Sequence, residues 1–122
     1  MPTTTITTAP NVAAIANLTM DQGATFSTVI AVYQDDNILD LAGHTAAAQI
    51  RKSYSSSTST AFTTAIDSTT STGKITLSLT PTQTAALEEG RYVYDLEITK
   101  TADSTVTRPI QGTVTVRPNV TR

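Results

Sequence analysis

Leu87-Glu88-Glu89-Gly90-Arg91-Tyr92-Val93-Tyr94-Asp95-Leu96-Glu97-Ile98-Thr99-Lys100 is the stretch on which the fold turns. From Arg91 to Lys100, Tyr92, Tyr94, Leu96 and Ile98 fall on one face, and Val93, Asp95 and Glu97 on the other. A period of two is that of a β-strand with one buried face. Immediately upstream, residues 81–87 read as the one helical turn of the chain. Thr80 is placed to cap it, Pro81 suits its first position, and Gly90 lies just past its end.

The same period extends in both directions. Residues 24–33 alternate, with Phe26, Thr28, Ile30 and Val32 on one face and Ser27, Val29, Ala31 and Tyr33 on the other. Both rows are fairly apolar, as expected if one lines a core and the other meets a partner. Gln34-Asp35-Asp36-Asn37 is a turn, residues 38–41 a short edge, and residues 45–54 a strand with Ala46, Ala48 and Ile50 inward. After the low-complexity loop 55–60, residues 61–67 and 74–80 give two more strands, the second with Ile75, Leu77 and Leu79 inward. Residues 106–116 form the last strand, burying Ile110, Val114 and Val116, and Pro109 puts its first half on an edge or at a bulge.

Seven to eight short strands with closely spaced turns are the signature of an antiparallel β-sandwich. In immunoglobulin-like sandwiches a helical corner precedes a Tyr whose hydroxyl bonds back across that corner. Tyr92 fits this position after Gly90, and Tyr94 falls where such domains often carry an inter-sheet Cys. With Phe26 and Leu96, these residues are expected to fix the core. The fold class is therefore all-β, an immunoglobulin-like sandwich with one short helical turn and an N-terminal arm. The expected boundaries are an arm over 1–17, the sandwich over 18–117 and a tail over 118–122.

The arm is argued from composition. Thr3, Thr4, Thr5, Thr7 and Thr8 surround the single apolar Ile6, between Pro2 and Pro10. Alone, such a segment buries too little to offset its ordering entropy. A neighbouring subunit or its own domain must hold it. Thr3, Thr4, Thr5, Ile6, Val29 and Tyr33 are accordingly the candidate subunit contacts. The chain as a whole holds 27 Thr and 10 Ser in 122 residues, a bias that favours pleated strands over helices. Thr28, Thr76, Thr99, Thr113 and Thr115 alternate with core residues and are expected on the outer faces.

Composition also narrows the function. With no Cys and one His there is neither a disulfide framework, a zinc ribbon nor a Cys nucleophile. A net charge of −2 with scattered Lys and Arg excludes the usual basic nucleic-acid footprint. No apolar run approaches a membrane span, and the N-terminus lacks the basic start and apolar core of a secretory signal. His44 reads as a turn residue after Gly43. Asp35, Asp36, Asn37 and Asp40 lack the Gly and distal Glu of a calcium loop. Glu88-Glu89 reads as a solvent-facing corner, and Arg51, Lys52, Arg91 and Arg108 as cross-strand partners of Asp95 or Glu97, with a subunit contact as the sharper alternative. No catalytic constellation emerges, no cofactor or metal is expected, and the chain is not expected to be an enzyme.

The resemblance rests on ordered motifs. Asp21-Gln22-Gly23-Ala24-Thr25-Phe26 opens a strand, and Asp40-Leu41-Ala42-Gly43 precedes Gln49-Ile50-Arg51-Lys52-Ser53-Tyr54. Gly73-Lys74-Ile75-Thr76-Leu77-Ser78-Leu79, Gly90-Arg91-Tyr92-Val93-Tyr94-Asp95-Leu96-Glu97 and Gly112-Thr113-Val114-Thr115-Val116 follow. This order resembles the small β-sandwich virion proteins of tailed bacteriophages, in particular short structural proteins of T4-like phages of marine cyanobacteria. It is also similar to immunoglobulin-like modules of baseplate-upper and tail-collar proteins. Related turns carry Gly and Pro where this chain has Asp35-Asp36-Asn37-Ile38.

The resemblance implies a multi-copy tail, baseplate or fibre-attachment component of the virion, assembled in the host cytoplasm. Its partners would be other virion proteins and copies of itself, with no nucleic acid, membrane or small-molecule substrate. A capsid decoration protein of the same fold is the alternative. A host-surface glycan-binding module is a third reading, and the absence of Trp and 5% aromatic content count against it.

Overall fold

The computed structural model describes residues 3–8, 14–34 and 37–121. Within them the chain forms eleven strands, a 3-10 turn at Thr70–Thr72 and a five-residue helix, α1, Pro81–Ala85. One sheet has the order β1 (Thr3–Thr8), β4 (Phe26–Gln34), β9 (Lys74–Leu79), β8 (Thr63–Ile66), with β5 (Asn37–Ile38) also on β4. The other runs β2 (Ala14–Ile15), β11 (Thr105–Arg117), β10 (Gly90–Lys100), β6 (His44–Arg51), β7 (Thr60–Ala61), with β3 (Leu18–Asp21) also on β11. The sheets face each other as an all-β sandwich.

Alternation in the sequence becomes burial in the structure. On β10, Tyr92, Tyr94, Leu96 and Ile98 are buried; on β9, Ile75, Leu77 and Leu79. Across the gap, Ile30 and Val32 of β4 meet Ile50 of β6 and Ile110 and Val114 of β11 in one cluster. Each such side chain withdrawn from water contributes about 1.5–3 kcal/mol, which offsets the cost of ordering the strands. Thr28 departs from expectation. It belongs to the inner row, opposite Leu77, and is buried rather than outward. Its parity with Ile30 and Val32 overrides its hydroxyl.

Chain segments pass from one sheet to the other at both long edges. β7 pairs with β6, and β8 pairs with β9 in the opposite sheet. Phe62, between them, donates its N–H to the Ala48 carbonyl (3.0 Å), and the Thr64 hydroxyl donates to that of Ala46 (3.0 Å). At the other edge the N-terminal chain pairs first with β4 through β1, then with β11 through β2. Crossing strands of this kind reduce the open edge that a sandwich would otherwise offer to foreign strands.

The expected bulge lies opposite Glu97. Between Leu96 and Ile98, β10 advances two residues while β11 advances three, from Thr107 to Ile110. The extra residue falls at Arg108-Pro109, where Pro109 is fully buried and its missing N–H costs no ladder bond.

Candidate functional site

The corner before β10 is built locally. The Thr80 side chain accepts the Gln83 N–H (3.2 Å), and the Gln83 side chain accepts the Thr80 N–H (2.9 Å), a reciprocal cap. The fully buried Thr84 hydroxyl lies 2.9 Å from the Ala24 carbonyl, tying α1 to the turn before β4. Gly90, at φ 136°, reverses the chain where an L side chain would be strained. The Tyr92 hydroxyl then donates to the Glu88 carbonyl, four residues back, at 2.8 Å. The Lys52 ammonium lies 4.7 Å from the Tyr92 ring centroid, and burial pushes the Tyr92 phenol up. Glu88 and Glu89 are exposed, and Leu96 is fully buried.

Tyr94 joins both sheets and the N-terminal strands. Its ring meets Phe62 edge-on at 6.1 Å between centroids, and Phe62 meets Phe26 of β4 at the same separation. An aromatic chain thus links the two sheets. The Tyr94 hydroxyl donates to the Ala16 carbonyl at 2.6 Å. Gly112 makes this approach possible: it pairs with Tyr94, and a Cβ there would lie 2.2 Å from the Ala16 oxygen. Burial raises the Tyr94 phenol well above its ordinary value.

Sequence reasoning missed β3 and the roles of Phe62 and Gly112. A lone Gly inside a strand pattern is a signal of close backbone approach, so Gly112 was findable. Phe62 carries no comparable mark, because its role depends on a chain crossing between sheets.

The candidate contact residues meet one another. Thr3, Thr4, Thr5 and Ile6 lie in β1, which runs parallel to β4 in the register Thr3–Val29, Thr4–Ile30, Thr5–Ala31, Ile6–Val32. Val29 is thereby flanked by Thr3 and Thr76, and Tyr33 by Thr7 and Ile38. Of the two expected holders of the arm, its own domain is the one seen: Thr3–Thr8 pairs with β4 as an added strand, and residues 14–15 and 18–21 pair in the other sheet. The physical reason is that pairing along β4 satisfies the main-chain groups of a segment whose composition is mostly polar. Residues 1–2 and 9–13 of the expected arm, and Arg122 of the tail, lie outside the described residues.

The remaining chemical candidates are dispersed. His44 opens β6, with Nδ1 3.0 Å from the Ala42 carbonyl. The Asp40 carboxylate accepts the Ala42 N–H (2.9 Å), whereas Asp35 and Asp36 lie outside the described residues. Arg108 pairs with Asp95 (3.5 Å), while Arg51 instead holds the Ser56 carbonyl and Gln49. Arg117 lies 2.7 Å from Asp21, holding that exposed carboxyl below its ordinary range. Among the described residues no three His, Cys, Asp or Glu side chains converge as metal ligands. No helix among the described residues is long and apolar enough to cross a membrane.

No protein-family model matches the sequence, and no curated protein matches it. Solved structures do. The N-terminal domain of ORF48 of phage TP901-1 aligns over 96% of this chain and 99% of that one, with a TM-score of 0.58 and 11% identity. The two share a fold. InlP of Listeria monocytogenes aligns over 86% of this chain and 28% of its own, with a TM-score of 0.48 at 16% identity. The cysteine protease inhibitor EhICP2 of Entamoeba histolytica aligns over 95% and 96%, with a TM-score of 0.44 at 12% identity.

Proposed function

We propose that this chain is a non-enzymatic structural subunit of a tailed-phage particle, assembled in the host cytoplasm. It is present in many copies in the tail, baseplate or fibre-attachment region. It joins other virion proteins or copies of itself through strand pairing at the β1–β4 edge. The observation that carries this reading is the parallel pairing of β1 with β4 at the end of its sheet. Backbone pairing is indifferent to which copy supplies the strand, so a bond made within one chain can be made between two. The phage setting is supported by the end-to-end likeness to the TP901-1 domain together with the ordered motifs of the sequence.

Deletion of residues 1–12 tests the proposal. The truncated chain is expected to keep a cooperative melt and a β-type circular dichroism spectrum, because β4 retains β9 as its other neighbour. It is expected to be missing from particles purified after infection of a complemented host. Unchanged incorporation of the folded truncation would overturn the role of the edge.

A further inference from the structure

The outer face of the second sheet carries a feature that strand exchange does not use. The register sets Arg51 beside Val93, Gln49 beside Asp95, and Asp95 beside Gln111. The bulge turns Arg108 out over this face, where it reaches Asp95. The loop after β6 folds back toward the same place, held by the Arg51 guanidinium on the Ser56 carbonyl at 2.7 Å. Together they enclose a shallow depression of about 290 Å³ lined by Gln49, Arg51, Tyr54, Asp95, Glu97 and Arg108. That is at the small end of ligand sites, which run from about 300 to 1,000 Å³.

Two guanidinium groups and two carboxylates line this depression. An anion would meet Asp95 and Glu97, and a cation would meet Arg51 and Arg108. An apolar ligand would strip water from all four charges without replacing its hydrogen bonds. A ligand with adjacent donors and acceptors satisfies both signs at once. The Arg51 guanidinium offers five N–H donors and spends two, on Ser56 and Gln49. Tyr54, at the rim, is 72% exposed and offers a ring face to C–H groups. We infer that this depression is a binding site for a neutral saccharide, one or two sugar units of a surface glycan. Tyr54 supplies the stacking platform, while Arg51, Asp95 and Arg108 bond the ring hydroxyls. The scarcity of aromatics counts against a site built from several stacked rings, and this depression uses one, Tyr54. In a particle holding many copies, weak single sites would sum.

The test uses the isolated chain and is therefore independent of the assembly reading. Isotope-labelled protein is titrated with glucose, galactose, N-acetylglucosamine and their neutral disaccharides, followed by backbone amide shifts, with a glycan array in parallel. Saturable shifts are expected at Gln49, Arg51, Tyr54, Val93 and Asp95 for at least one sugar. Tyr54→Ala, in an exposed loop, and Asp95→Asn are each expected to weaken binding by about tenfold or more, with melting unchanged. No shift at millimolar sugar would overturn the inference. Shifts that survive both substitutions would also overturn it. So would concentration-dependent shifts of the same amides without sugar, which would assign the face to a second copy of the chain.

Discussion

Tyr94 and Gly112 act as one unit at the level of single residues. The phenol crosses Gly112 to reach the Ala16 carbonyl, so the two substitutions should fail in different ways. Tyr94→Phe leaves that carbonyl without its donor, at a cost of about 1–3 kcal/mol in chemical denaturation. Its pH dependence follows from the raised phenol. Below the ordinary tyrosine value of 10.0 both folded and unfolded chains hold the proton, and the contribution is whole. Above it the unfolded chain ionises first, so stability falls as pH rises toward the folded value. Melting midpoints should therefore drop more steeply above about pH 10 in the native chain than in Tyr94→Phe. Gly112→Ala tests the close approach by its sign. In an open strand the change would stabilise by about 0.5–1 kcal/mol. Here the added methyl meets the Ala16 backbone, and a loss of about 1–3 kcal/mol is expected in the same measurement. The role of Tyr92 was legible in the sequence because its partner, Glu88, lies four residues away. That of Tyr94 was not, because Ala16 lies 78 residues away and nothing local marks it.

Among the elements, the strands with one buried face were the most legible. Residues 74–80 and 91–100 alternate strictly, and β9 and β10 follow them within a residue at each end. The N-terminal strands were not legible, for a physical reason. β1, β2 and β3 pair in parallel with β4 and β11, and such pairing is set by main-chain groups and by strands distant in sequence. Thr3–Thr8 lacks the alternation that side-chain burial imposes, so composition suggested an arm where the backbone makes an edge. The proposed exchange of β1 between copies is tested with a Thr5→Cys, Ala31→Cys pair, because the chain itself contains no Cys. The register places these two positions side by side, within the span a disulfide needs. Dilute isolated protein should oxidise within one chain. Oxidation in the assembled state should give covalent oligomers on a non-reducing gel. A bond confined to single chains in that state would exclude exchange at this edge.

At the scale of the whole molecule, the crossing segments at both long edges leave a small sandwich with β1 at the end of one sheet. The core of that sandwich was readable from alternation. The depression on the second sheet was not, because a bulge, a loop and three strands from different parts of the sequence assemble it. A body of this kind suits the proposed repetition: a fixed core, an edge strand and an outward face of mixed charge. The central claim is that such bodies build a phage particle. Quantitative mass spectrometry of particles purified from cells infected with a phage carrying the gene for this chain measures this directly. The chain should be present in many copies per particle, hundreds if it decorates the head and a few rings' worth if it belongs to the tail. Recovery of the chain solely in the soluble lysate, with none in the particles, would contradict it.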